Sequence, residues 1–225
     1  MKKAILLSIT SIVVALMMSA WVTSGRTPDN NNQIKEIKIG NQIWMAQNLD
    51  VAVFRNGDPI PQARTRKEWN EAGMKRQPAW CYYNNDSVTG ARYGKIYNYF
   101  AVNDPRGLAP EGWHIPTGNE WMAMRDYLGG KKTAGGKLKS KEGWHNNHNG
   151  SNETGFNALP GGSREITLLT RNIGFQGAGK FTYWWTSNKA DRFQVQAFGV
   201  TSGNDVLYNI FCDLDEGLYV RCVKN

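Results

Sequence analysis

The hydrophobic pattern changes period partway along the chain, and that change constrains the fold most. Before about residue 130 the strongest signal is helical. Thr117-Gly118-Asn119-Glu120 reads as a capping box, in which the threonine hydroxyl accepts from a free backbone N–H and the glutamate reaches back. Trp121, Met124, Tyr127 and Leu128 follow at spacings that place them on one side of a helix, and Gly129-Gly130 ends it. Thr65 to Gly73 reads as a shorter helix with Thr65 as its cap. Beyond residue 180 the period drops to two. Lys180 to Thr186 is rich in strand formers, and in Arg192 to Val200 Phe193, Val195 and Ala197 alternate with Gln194 and Gln196. Ser202-Gly203-Asn204 turns the chain, Val206 to Phe211 returns it, and Gly217 to Val223 reads as the last strand. Helices followed by an antiparallel meander define an α+β fold.

The remaining segments fit that frame. Ile34 to Ile39 and Gln42 to Met45 flank Gly40-Asn41 and read as a hairpin. Ala79 to Tyr83 is strand-like, and Lys139 to Arg164 is an irregular, loop-like stretch. At the N-terminus, Lys2 and Lys3 precede an uncharged run from Ala4 to Ala20. That order describes a secretory signal over residues 1–25, cleaved or retained as an anchor. It holds no cysteine for lipid attachment. A polar linker at 26–33 then leads into one domain at 34–225. The expected location is secreted, cell-surface or periplasmic, with membrane contact only through the N-terminal segment if it is uncleaved. Loss of Lys2 and Lys3 with the leader lowers the net charge from +8 to +6. The remaining cations are scattered along the chain, which reads as a solvated surface and no stripe for nucleic acid; the alternative is attraction to anionic surface glycans.

Few residues offer chemistry. His145 and His148 are three apart with no glutamate between them, so they lack the spacing of a helical zinc site. Asp213, Asp215 and Glu216 precede the last strand and are the candidate calcium ligands; the alternative is a polar turn. Cys81, Cys212 and Cys222 contain no C-x-x-C pair. No catalytic constellation is present. Arg221 sits in the final strand, where a long cation needs a partner; Glu120 is the expected one.

Six ordered stretches then stand out: IGNQIWMAQNLD (Ile39 to Asp50), ARYGKIYNYFAV (Ala91 to Val102), GWHIPTGNEW (Gly112 to Trp121), FNALPGG (Phe156 to Gly162), WWTSN (Trp184 to Asn188) and LYVRCVKN (Leu218 to Asn225). Together they resemble the Fibrobacter succinogenes major paralogous domain family, whose members are exported or surface proteins of Fibrobacteres and Bacteroidetes. The resemblance runs from about Glu36 to the C-terminus. The wording IPT-x-x-EW with a terminal RCV also resembles the C-type lectin-like fold and its formylglycine-generating branch. It implies an irregular antiparallel sheet with two main helices and long loops. The proline-centred calcium tripeptides of true lectins are missing, although Asn188 stands where lectins place an amide ligand.

The resemblance orders the other expectations. Cys81 and Cys222 fall within or beside its motifs, so Cys81–Cys222 is favoured over Cys212–Cys222, with three reduced thiols as the third outcome. Trp44, Trp113, Trp121, Trp184 and Trp185 belong to the motifs and are expected in the core. Trp69 and Trp144 lie in less regular segments and are the candidates for exposed ligand contact, with Asn188. The expected function is a non-enzymatic binding or adhesion module that recognises a glycan or surface protein through its loop face. The alternatives are a structural surface component and a formylglycine-generating-enzyme-like oxidase.

Overall fold

The computed structural model describes residues 34–167, 172–189 and 191–225; the expected leader and linker lie outside the described residues. Strands β1 (Glu36–Ile39) and β2 (Gln42–Met45) form the expected hairpin, with Ile39 opposite Gln42. Gly40 turns it at φ +60°, and a Cβ there would meet the Tyr127 ring at 3.1 Å, so conformation and space both favour glycine. Helix α1 (Arg66–Met74) starts at Thr65, where Glu68 completes a capping box. Next come β3 (Trp80–Cys81), α2 (Ser87–Tyr93), β4 (Ile96–Tyr97), α3 (Tyr99–Val102) and β5 (Trp113–His114). Helix α4 (Gly118–Tyr127) has the expected box: Thr117 Oγ1 accepts from the Glu120 N–H at 3.2 Å, and Glu120 Oε2 accepts from the Thr117 N–H at 2.7 Å. A short α5 (Ala134–Leu138) precedes the irregular segment, which buried Lys139 ties down by donating to the carbonyls of His148 and Asn204 at 3.1 and 3.0 Å.

The second half is β6 (Gly161–Thr167), β7 (Asn172–Ala178), β8 (Phe181–Lys189), β9 (Gln194–Thr201), β10 (Tyr208–Asp213) and β11 (Val223–Lys224). Strands β8, β9 and β10 form the expected antiparallel meander. Two features depart from the sequence reading. The β6–β7 hairpin joins the same sheet through a parallel contact of Gly162 with Thr182, giving the order β10-β9-β8-β6-β7. The last segment does not add a strand to the meander and touches it only at β8. It touches Arg164 at Gly217, Tyr97 at Leu218 and Trp184 at Tyr219, and ends as β11 between β2 and β5. The architecture is α+β, and the C-terminal segment links its sheets.

That course follows from burial on both faces. Along the last segment Tyr219 and Val223 enter one hydrophobic cluster, while Leu218, Val220 and Cys222 enter another. Trp44 and Met45 divide in the same way, as do Ile96 and Tyr97, and Trp184 and Trp185. Successive strand residues point to opposite faces, so a strand with two apolar neighbours must be covered on both sides. In the first cluster Trp121 is the hub. It stacks on Phe198 at 5.4 Å and Trp184 at 5.5 Å, and meets Trp44 edge-on at 4.8 Å. Met124 and Leu128 are buried beside it, but Tyr127 is 68 % exposed. Six residues after Trp121 a helix has turned about 240° beyond a full circle, which carries Tyr127 off the buried stripe.

Candidate functional site

Every tryptophan among the described residues is buried, which corrects two expectations. Trp69 is 0 % exposed: its indole N–H donates to the Asp215 carbonyl at 2.8 Å, and Arg164 stacks over its ring at 4.5 Å. Trp144 is 3 % exposed and donates to Ser140 Oγ at 3.0 Å. An indole surrounded in this way has no free face for a ligand. Asn188 is exposed, but its side-chain oxygen accepts from the Gly118 N–H at 2.7 Å and so helps to cap α4.

The acidic turn is divided among separate neighbours. Asp213 lies at the end of β10, 3.5 Å from the Gln194 amide. Asp215 packs against α1 at Gly73, where burial pushes its carboxyl up, and Glu216 hydrogen-bonds the Cys212 thiol. Among the described residues no three His, Cys, Asp or Glu side chains are grouped around one point as a metal ion needs.

Cys81, Cys212 and Cys222 are free and buried. The expected Cys81–Cys222 bond is absent because alternation sends the two residues into different clusters, Cys81 beside Tyr219 and Cys222 beside Tyr97. Burial pushes the Cys81 thiol to about 11, with Arg164 opposing, and the Cys222 thiol to about 12, with Arg221 opposing. The expected Arg221–Glu120 pair is also absent. The α4 cap occupies one carboxylate oxygen of Glu120, and His114 Nε2 lies 2.7 Å from the other.

Arg221 instead forms the floor of a pocket of about 150 Å³ that sequence reasoning did not identify. The pocket is built from the chain after β2 and the end of α2. Asp86 starts α2 by accepting from the Val88 N–H at 3.0 Å, and Gly94 ends it at φ +81°, turning the backbone beside Asn48. Asn48 spends both ends of its amide: it donates to the Tyr93 carbonyl at 2.8 Å, while Oδ1 accepts from Trp184 Nε1 at 2.8 Å and from Arg221 Nε and Nη2 at 3.0 and 2.8 Å. Arg221 Nη1 donates to the carbonyls of Met45 and Phe156 at 3.2 and 2.7 Å, and the guanidinium lies 4.2 Å over the Phe156 ring. Arg221 is 2 % exposed, and burial pulls it down to about 9.

Exposed Gln47, Asp50, Arg92 and Asn157 stand around this floor, with half-buried Tyr93. Asp50 is already matched: buried Lys95 contacts its carboxylate at 2.5 Å and lies 4.7 Å over the Trp80 ring. A second concavity, of about 450 Å³, runs past Pro59 and Pro61 to α1. Its charges are already matched, Lys75 with Glu71 at 4.0 Å within the lining itself. Arg106 is tied to Asp58 and Asp104 at 3.1 and 2.8 Å, and Glu68 serves the α1 cap.

The described residues therefore form a mixed α+β domain with a small, polar pocket over a buried arginine. The family model for the Fibrobacter succinogenes major domain matches residues 37–224, and the chain belongs to that family. No curated protein and no solved structure matches it. Four of the stretches that carry the family resemblance meet at the pocket, supplying Asn48, Tyr93, Asn157 and Arg221. That signal was present in the sequence, but the convergence was not.

Proposed function

We propose that the domain is a non-enzymatic binding module, exported by its N-terminal segment, with a C-type lectin-like scaffold, and that it takes a carbohydrate end group in the pocket over Arg221. The convergence of exposed amide and ionic side chains on a small concavity carries this reading. Gln47, Asn157 and Arg92 offer donors and acceptors, and the Tyr93 ring offers an apolar edge. A few placed polar groups in a concave site are what orient a small ligand. The volume, about 150 Å³, falls below the ~300–1,000 Å³ of pockets for drug-sized ligands, which favours a single terminal ring over a buried oligomer. An oxidase of the formylglycine-generating type needs thiols open to a cleft, and these thiols are enclosed.

A glycan array probed with the exported protein and with the double variant Gln47→Ala, Arg92→Ala tests the reading. Binding to a defined set of glycans by the parent, lost in the variant, is the expected result. An array on which the parent binds nothing would leave the structural surface component as the better account.

A further inference from the structure

The pocket carries an unbalanced charge. The four hydrogen bonds of Arg221 end on neutral acceptors: twice on Asn48 Oδ1, once on the Met45 carbonyl and once on the Phe156 carbonyl. One of the five N–H groups of a guanidinium therefore has no acceptor among the described residues. No carboxylate pairs with it there, and the only acid of the pocket lining, Asp50, is held by Lys95. A second cation stands at the rim. Arg92 is exposed, lies 5.4 Å over the Tyr93 ring and has no ion-pair partner among the described residues. Burying a charge without a counter-charge is costly, and a guanidinium is the side chain best shaped for a two-oxygen anion. The π-face of Phe156 compensates only in part.

Resting on the carbohydrate reading above, we propose that the end group is acidic: a sugar presenting an oxyanion, either a uronate carboxylate or a sulfate ester, to Arg221 at the floor and Arg92 at the rim. The anion supplies the counter-charge that the chain itself withholds. A neutral sugar of the same shape leaves both cations unmatched and binds more weakly.

Calorimetric titration of the exported protein with glucuronate, glucose 6-sulfate and glucose tests this, with the Arg221 Nε–H resonance followed by NMR. At least one acidic sugar is expected to bind ten-fold or more tightly than glucose, to shift the Arg221 resonance, and to lose that preference in Arg92→Gln but not in Arg192→Gln, an exposed arginine outside the pocket lining. Whichever acidic sugar wins identifies the oxyanion. Equal binding of glucose and both acidic sugars would overturn the acidic-ligand inference and leave the carbohydrate reading standing. Absence of binding by all three, together with a silent glycan array, would overturn both. Because parent protein and a rim variant carry the test, it does not depend on an Arg221 variant that folds.

Discussion

Asn48 holds together more of the interior than its size indicates. One amide oxygen accepts from Trp184 and twice from Arg221, and the amide nitrogen fastens the end of α2. Asn48→Ala removes the one side-chain acceptor that Arg221 has among the described residues. Hydrogen bonds to charged groups contribute ~1.5–3 kcal/mol each, so a loss on the order of 3 kcal/mol is expected in urea denaturation, and a loss below about 1 kcal/mol would mean that solvent reaches Arg221. The sequence announced that Arg221 needs a partner; it did not announce an amide 173 residues away, because Glu120 looked available until its capping role was visible. The cysteines behave similarly. Burial holds the Cys81 and Cys222 thiols near 11 and 12 and Cys212 higher still. An aromatic disulfide reagent at pH 8 is expected to find no reactive thiol in the native domain and all three in denaturant. One reactive thiol before unfolding would show an opening to Cys81, Cys212 or Cys222.

At the scale of the element, α4 was legible to within a residue or two, because a capping box and a helical stripe are local. Trp121 is 0 % exposed at the centre of that stripe, so Trp121→Ala is expected to cost ~3–5 kcal/mol by thermal or chemical unfolding. The cap also predicts a pH dependence. Burial pushes the Glu120 carboxyl up, but donors from Thr117 and the contact with His114 outweigh it and hold it below its ordinary value of 4.5. A lowered folded pKa contributes stability above the unfolded value and loses it as pH falls through the folded one. Melting temperature is therefore expected to drop on acidification below about pH 4.5, and Glu120→Gln to flatten that part of the decline. An unchanged acid limb in the variant would place the decline in other carboxylates. The strands were less legible. Gly217 to Val223 reads as one more member of the meander, whereas only Val223–Lys224 is paired as a strand, in a different sheet.

For the whole molecule, the decisive arrangement is two hydrophobic clusters with strands between them. It explains why Trp69 on helix α1 and Trp144 in the irregular segment after α5 are buried: a strand apolar on both faces needs cover from helices and loops as well as from sheets. The proposed export belongs at this scale too. The N-terminus of the exported protein is expected by mass spectrometry to fall between Trp21 and Arg26, and an intact Met1 in the membrane fraction would establish a retained anchor instead.

The sequence by itself determined the elements whose signals are local: the Gly40-Asn41 hairpin, the capped helices α1 and α4, and the β8–β10 meander. It also determined the family, through short stretches that survive as text. Tertiary structure alone decided the sheet order, the separation of Cys81 from Cys222, and the meeting of Asn48, Tyr93, Asn157 and Arg221 at one pocket. The physical reason is range. Caps, turns and alternation act over a few residues, whereas a buried cation takes its acceptors wherever packing places them, here on residues 45, 48 and 156.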